Sequence, residues 1–316
     1  MKVLANDGVS QSGINVLEAA GYEVLTTTVA QEQLQNYINK NDISVLLVRS
    51  ATKVRKDIID NCPNLKIIGR GGVGMDNIDV EYAREKGLHV INTPAASSHS
   101  VAELVFGHFY GLARFLHNSN RDMPLEGDTN FKALKKAYAK GIELKGKTLG
   151  VIGFGRIGQA TAKIGIGAGM KIVAFDPFME KANLELDFFD GQKLNFEIET
   201  ISKEDVLKQA DFISLHVPAQ KEYVIDESEL KMMKDGVFIA NAARGGVVNE
   251  FALVKAIESR KVAGAALDVF EKEPQPEIQL LMNASLSLTP HTGAATNEAQ
   301  DRIGVELADQ IINILG

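Results

Sequence analysis

Thr148-Leu149-Gly150-Val151-Ile152-Gly153-Phe154-Gly155-Arg156-Ile157-Gly158 is the stretch whose reading decides the fold. Its first five residues form a short apolar run of the kind buried in a sheet, and the next six spell G-x-G-x-x-G directly behind that strand. Alone the pattern is weak; its context is stronger. A helical stretch runs from Ile157 to Gly169, a second strand from Lys171 to Phe175, and Asp176 follows. Asp176 lies 23 residues beyond Gly153, close to the ~20 residues that separate such a turn from the acid that binds an adenosine ribose. Gly153 makes the tight turn, Gly155 lets a pyrophosphate approach the backbone, and Gly158 packs helix on strand. Arg156 and Ile157 open the helix, whose N-terminus offers unpaired N–H groups and a positive dipole end to phosphate. A carboxylate at 176 accepts from a ribose 2′-hydroxyl and repels a 2′-phosphate. Pro177, Phe178 and Met179 bring no offsetting cation, so NAD is favoured over NADP.

Outward from this stretch, strands and helices alternate. Ile43-Ser44-Val45-Leu46-Leu47-Val48, Leu65-Lys66-Ile67-Ile68 and Phe212-Ile213-Ser214-Leu215-His216 read as strands buried on both faces, separated by helical stretches ending in glycine, such as Glu81 to Gly87. That alternation predicts α/β architecture with parallel sheets covered on both sides. Two boundaries stand out. One is Asn92-Thr93-Pro94-Ala95-Ala96-Ser97-Ser98, followed by Ser100-Val101-Ala102-Glu103, a capping-box spacing predicting a long, largely buried helix to about Leu116. The other is Thr289-Pro290-His291, before a last helix to Leu315. The expectation is two lobes: residues 1–96 with 291–316, a smaller flavodoxin-like substrate lobe, and residues 97–290, an inserted Rossmann-type doubly wound parallel sheet. One large sheet with two loops is the plainer alternative.

Length and composition agree with this. The chain has 316 residues, 45% hydrophobic and 24% charged, an ordinary mix for a globular protein of two domains. Cys62 is its only cysteine, which excludes intrachain disulfides and multi-cysteine zinc sites and fits a reducing compartment. A formal net charge of −7 disfavours nonspecific binding to nucleic acid or to an anionic membrane. Charge comes too early after Met1 for a secretory segment, and no apolar run approaches the ~18 residues of a membrane span. A cytoplasmic location is expected.

A second literal glycine match, Gly69-Arg70-Gly71-Gly72-Val73-Gly74, also follows a strand. It is rejected as the dinucleotide turn because Asn92 stands where the acid belongs and Asp76, Asp79 and Glu81 follow it. It reads as a tight turn, or as a backbone nest for a smaller anion such as a substrate carboxylate.

Beyond the glycine motif, polar residues mark three strand ends. Asn241, Ala242, Ala243, Arg244, Gly245 and Gly246 follow Val237–Ile239; Asp268 to Pro274 follows Ala265–Leu267; His291 follows Ser287–Thr289. In an open α/β sheet the ligand crevice lies off the carboxyl ends of the strands. Hydride transfer to or from a 2-hydroxy acid needs a guanidinium for the carboxylate, an imidazole for the hydroxyl proton, and a carboxylate behind the imidazole. Each residue has a dull competitor: a surface turn for Arg244, a solvated acid for Glu273, a satisfied core histidine for His291.

Together, Gly153–Gly158 with Asp176, Ala242–Gly246, Leu267-Asp268-Val269-Phe270-Glu271-Lys272-Glu273-Pro274 and Pro290-His291-Thr292-Gly293-Ala294 resemble the D-2-hydroxyacid dehydrogenases. Val48–Val54 and Gly69–Asp79 are similar to the branch that oxidises D-3-phosphoglycerate, the entry step of serine synthesis. The resemblance implies Arg244, Glu273 and His291 as the catalytic set, with Glu273 rather than Glu271 behind the imidazole. It implies Val217, Ala242, Asp268 and Gly293 beside the cofactor, in addition to the residues above. Arg49, Ser50, Gly72, Val73 and Gly74 would hold the substrate from the other lobe, with Arg244 and His291. It also implies NAD as cofactor, no metal, a small phosphorylated 2-hydroxy acid as substrate, closure of the lobes over it, and a homodimer formed through the cofactor domain. A glyoxylate/hydroxypyruvate reductase or D-lactate-type enzyme is the rival reading, and a NAD-sensing corepressor-like protein a remote one.

Some residues depart from the pattern or tempt other readings. Ser97 stands where similar enzymes often carry an asparagine that touches substrate. Lys132, Lys135, Lys136 and Lys140 read as a solvated helix face rather than a phosphate site. Longer relatives carry C-terminal regulatory domains; with the chain ending at Gly316, feedback through such a domain is not expected. His99, His108 and His117 recur every nine residues and fall on alternate helix faces, so they cannot share one ion.

Overall fold

The computed structural model describes residues 1–316, which divide into two compact units, Met1–Ser100 with Ala294–Gly316, and Val101–Gly293. The cuts expected from the sequence lie after residues 96 and 290.

In the first unit β1 (Lys2–Ala5), α1 (Gln11–Ala19), β2 (Glu23–Leu25), α2 (Gln31–Asn41), β3 (Ile43–Val48), α3 (Lys56–Asn61), β4 (Ile67–Arg70), α4 (Val80–Glu85) and β5 (His89–Asn92) alternate along the chain. The five strands are parallel in the order β2-β1-β3-β4-β5, the flavodoxin-like arrangement. β3 is apolar on both faces because both are covered: Leu46 and Val48 join Leu34, Ile38 and Ile58, while Val45 and Leu47 join Leu17, Ile303 and Leu307.

The second unit continues with α5 (Ser98–Ala113), α6 (Leu116–Glu126), α7 (Phe131–Ala137), β6 (Thr148–Ile152), α8 (Arg156–Gly167), β7 (Lys171–Phe175), β8 (Lys181–Asp187), β9 (Lys193–Glu199), α9 (Lys203–Gln209), β10 (Phe212–Leu215), α10 (Glu227–Met232), β11 (Val237–Asn241), α11 (Glu250–Glu258), β12 (Val262–Leu267), α12 (Ile278–Leu281) and β13 (Leu286–Leu288). Six parallel strands run β13-β12-β11-β10-β6-β7. The chain order reverses between β6 and β10, which sets a switch point just past Ile152 and Leu215. α5 lies against this sheet through Phe109, whose ring meets Phe212 edge-on at 5.1 Å; Phe212 stacks on Phe238 at 5.0 Å. The chain ends on α13 (Asn297–Leu315), capped by Thr296 and packed on α1 within the first unit. Gly13 and Gly304 meet there, and a Cβ on Gly13 would lie 2.7 Å from the Gly304 backbone.

Two local expectations need correction. α5 begins at Ser98, inside a turn closed by Ser98 N–H to Ala95 O, and Ser100 is a buried interior residue rather than a cap. The helix also stops at Ala113, because Phe115 turns the chain with φ 57°. An antiparallel hairpin also interrupts the strand–helix alternation. β8 and β9 pair over their whole length beside β7. Leu184 packs into the core with Ala182, Leu186, Phe196 and Ile198 against it, while Lys181–Glu197 and Lys193–Glu185 pair on the outer face. The tip residue Phe189 is fully exposed.

Candidate active site

The glycine turn has the geometry of a dinucleotide cradle. Gly153 sits at φ 90°, and a Cβ there would lie 2.5 Å from the His216 carbonyl, so only glycine lets the ends of β6 and β10 approach this closely. A Cβ on Gly158 would strike the Gly153 carbonyl at 2.1 Å, which fixes the contact of α8 with the turn. Gly155 differs: nothing lies within 4 Å of where its Cβ would be. It is also the N-cap of α8, whose first turn has no side-chain cap and no acidic residue. Open space over uncapped N–H groups is what a pyrophosphate needs. Asp176, at the end of β7, accepts from Phe154 N at 2.7 Å and Phe178 N at 2.9 Å, which ties its carboxylate to the turn. These residues therefore fit an adenine dinucleotide.

At the neighbouring strand end, Ser214 Oγ lies 2.8 Å from His216 Nε2. Burial pushes the His216 imidazole down to about 3, so the ring is neutral. Val217 follows it, its methyl 3.0 Å from the Cβ position of Gly153.

Asn241 organises the next two loops. Its carbonyl accepts from Asp268 N at 3.0 Å. Its side chain accepts from Ala243 N at 3.1 Å and donates to Arg244 O at 2.9 Å, folding Ala242–Arg244 into a turn. Arg244 Nη1 donates to Ala243 O at 2.6 Å. Gly245 leaves no room for a side chain, since its Cβ would come 1.9 Å from Phe270 O, and so the Arg244 turn is seated against the loop after β12.

That loop carries Glu273, which meets His291 from the segment after β13. His291 Nδ1 lies 2.9 Å from Glu273 Oε2, with both side chains more than a third exposed. Glu273 Oε1 accepts from Phe270 N at 3.0 Å, which fixes the carboxylate's orientation. With Nδ1–H donated to Glu273, Nε2 is left as the basic nitrogen. His291 sits in the left-handed region, φ 55°, a conformation that costs a non-glycine residue about 1–2 kcal/mol. Asp268 holds it there: the Asp268 carbonyl accepts from His291 N at 2.8 Å. Its 2%-exposed carboxylate accepts from Thr289 Oγ1 at 2.6 Å, Thr292 N at 2.7 Å and Gly293 N at 2.8 Å. Thr289 and Thr292 were not singled out from sequence, though both flank His291 and carry hydroxyls.

Within the first unit, Asp7 accepts from Arg49 N at 2.6 Å and from Thr52 N and Oγ1, so the ends of β1 and β3 are tied together. Ser50 is exposed beside them. Asn77 donates to Arg49 O and Thr52 O, and Asn92 to Val73 O, pinning the loop that holds Gly72, Val73 and Gly74. Asp79 is paired with Arg55 at 2.8 Å. Ser97 is buried at 2% exposure. The lysines of α7 are solvated around the one buried residue, Leu134. No group of three or more His, Cys, Asp and Glu is placed to hold a metal, and no helix is long and apolar enough to cross a membrane.

Comparison with known proteins adds the following. Residues 106–293 match the model of the NAD-binding domain of D-isomer-specific 2-hydroxyacid dehydrogenases. The chain is 43% identical to a hydroxypyruvate reductase of Thermotoga maritima, covering all of this chain and 98% of that one. It is 42% identical to a D-3-phosphoglycerate dehydrogenase of Methanocaldococcus jannaschii, again over the whole chain but over only 57% of the relative's length. Among solved structures, a D-lactate dehydrogenase of Aquifex aeolicus complexed with NAD and lactic acid superposes with a TM-score of 0.74 at 28% identity, covering 100% and 95% of the two chains.

Proposed function

The chain belongs to the D-isomer-specific 2-hydroxyacid dehydrogenases, NAD-dependent oxidoreductases, and from that premise we propose that it oxidises D-3-phosphoglycerate to 3-phosphohydroxypyruvate, the reaction that opens serine synthesis. The observation that carries the chemistry is the His291–Glu273 pair, held by Asp268 in the unit that contains the glycine cradle. Gly153, Gly155, Arg156, Ile157, Gly158 and Asp176 are proposed to hold the dinucleotide, with Val217, Ala242, Asp268 and Gly293 along its length. A bound nicotinamide would supply the hydride acceptor for oxidation and the hydride donor for reduction.

The protein's own part is proton movement and orientation. Neutral His291 takes the substrate hydroxyl proton on Nε2, and Glu273 Oε2, 2.9 Å from Nδ1, stabilises the imidazolium that forms. In reduction the same charged ring gives the proton back. Arg244 is proposed to bind the substrate carboxylate through its guanidinium fork. Arg49, Ser50, Gly72, Val73 and Gly74 are proposed substrate contacts from the first unit. A homodimer and a cytoplasmic location complete the proposal; size-exclusion chromatography with light scattering tests the dimer.

A second reading, reduction of hydroxypyruvate, is favoured by the full-length similarity to the Thermotoga maritima enzyme. NADH formation with 3-phosphoglycerate, glycerate and D-lactate separates the two. Turnover strongest on 3-phosphoglycerate is expected; turnover confined to the phosphate-free acids overturns the first reading.

A further inference from the structure

His108 lies on α5, far in sequence from the loops that carry the acid–base pair, yet both of its ring nitrogens are engaged under that site. Nδ1 is 2.8 Å from Ser287 Oγ, and Nε2 is 3.1 Å from Thr289 Oγ1. The side chain is 7% exposed. Hydrogen positions follow from counting donors. Thr289 has one hydroxyl proton, and it goes to Asp268 Oδ1 at 2.6 Å. The Thr289 oxygen is therefore an acceptor toward His108, and Nε2 must carry a hydrogen. Nδ1 is then bare and accepts from Ser287. Burial holds the ring neutral against the pull of the Asp268 charge, consistent with this single tautomer.

The chain Ser287 → His108 → Thr289 → Asp268 thus ends on the carboxylate that also binds Thr292 N and Gly293 N. The backbone of that same aspartate fixes His291 in its left-handed turn. The Thr289 hydroxyl is thus held from two sides, donating to Asp268 and accepting from His108, whose other nitrogen is tied to Ser287 in β13.

We infer that His108 is a positioning residue: through Thr289 it sets Asp268, and through Asp268 it sets the angle at which His291 and the Gly293 amide are presented. This rests on the roles proposed above for His291 and Asp268, and it adds a member on another element that never touches substrate.

The test compares His108→Leu, which keeps bulk and loses both hydrogen bonds, with His108→Gln, whose amide can still donate to Thr289. Three quantities are read: NADH affinity from the coenzyme's own fluorescence, the NMR pH titration of the His291 ring, and kcat and KM on whichever hydroxy acid the unaltered protein turns over best. For His108→Leu, kcat is expected to fall about tenfold with KM for the acid within about twofold, as for a small misplacement of a reacting group. NADH affinity should weaken and the His291 titration should shift, and His108→Gln should restore most of all three. Unchanged coenzyme affinity and His291 titration in His108→Leu, or equal losses in both variants that follow thermal stability, would overturn the inference. Should His108→Leu not fold, Ser287→Ala decides: it frees Nδ1, and a smaller loss of the same kind is expected, whereas no change overturns the inference. Failure of the phosphoglycerate reading would appear in the unaltered protein's substrate preference and leaves these comparisons readable.

Discussion

Glu250 and Glu271 exchange hydrogen bonds: Glu271 N donates to Glu250 Oε1 at 2.8 Å, and Glu250 N donates to Glu271 Oε1 at 3.2 Å. This reciprocal clasp joins the start of α11 to the loop after β12 and occupies Glu271, while Glu273, two residues on, faces His291. Burial raises the Glu250 carboxyl above its usual range, against the hydrogen bond from Glu271 N that lowers it, with the Glu271 charge adding to the rise. The two neighbouring glutamates should therefore respond differently to the same change. Glu273→Gln is expected to lower kcat by about 10²-fold, the lower end for loss of acid–base assistance, with NADH affinity unchanged. Glu271→Gln keeps an acceptor for Glu250 N, so it should leave kcat within about threefold and the urea-unfolding free energy within about 1 kcal/mol, the scale of one hydrogen bond. Steady-state kinetics on both variants decides; equal losses of kcat would mean that the pair is misassigned.

Replacing His291 itself is expected to bear on chemistry rather than on coenzyme binding. His291→Asn removes the basic Nε2 and also suits the left-handed backbone, since asparagine tolerates that region better than most residues. A loss of about 10²–10⁴-fold in kcat is expected, with the melting temperature and NADH dissociation constant preserved. A parallel loss of coenzyme affinity would assign the residue a structural role instead.

The glycines of the cradle should separate by where a methyl group would go. Gly155→Ala meets open space at an ordinary φ of −71°; it should fold normally and weaken NADH binding by about tenfold, roughly 1.4 kcal/mol. Gly158→Ala drives a Cβ into the Gly153 carbonyl, and it should lower the melting temperature before any binding is measured. Thermal denaturation paired with NADH fluorescence distinguishes the two.

Asp176 should govern the choice of coenzyme. Asp176→Ser removes the charge proposed to face a 2′-phosphate, so affinity for NADPH relative to NADH is expected to rise about tenfold or more. An unchanged ratio would show that something other than this carboxylate excludes the phosphate.

Acid sensitivity follows from the buried imidazoles. His216 is held down to about 3, and His108 is also lowered, in both cases chiefly by burial. Below the ordinary histidine value of about 6.5 the unfolded chain binds protons that the folded chain refuses, so stability present above that pH is lost on acidification. Each group adds up to about 1.4 kcal/mol per pH unit. Urea unfolding between pH 7 and pH 4.5 should show a shallower decline for His216→Gln than for the unaltered protein.

Much of the larger unit was legible because its signals are local. A strand, a glycine turn and an acid at fixed spacing occupy 29 consecutive residues, Thr148 to Asp176, and β6, α8 and β7 form within them. Parallel strands buried on both faces announce themselves as apolar runs. The hairpin of β8 and β9 has a sequence signal too: Leu184, Leu186, Phe196 and Ile198 alternate with polar residues around Asp190-Gly191, a turn signal. Attention to strand–helix alternation hides a strand pair inserted within it. What lay beyond reach was pairing across long separations. Nothing near His108 announces Thr289 and Asp268 as its partners. The early break of α5 at Phe115 likewise depends on a backbone conformation that phenylalanine rarely adopts.

The β8–β9 hairpin also protects solubility. β7 is one of the two outer strands of the six, and a bare flank of backbone N–H and C=O groups would invite other chains to add strands. Residues just past the hairpin bind that flank, Ile201 N donating to Ala174 O at 2.8 Å. The hairpin's own margins carry Lys181, Lys193 and Glu197, charges that resist burial in a growing aggregate. Deleting Lys181–Glu199 should therefore first show itself as precipitation at high protein concentration.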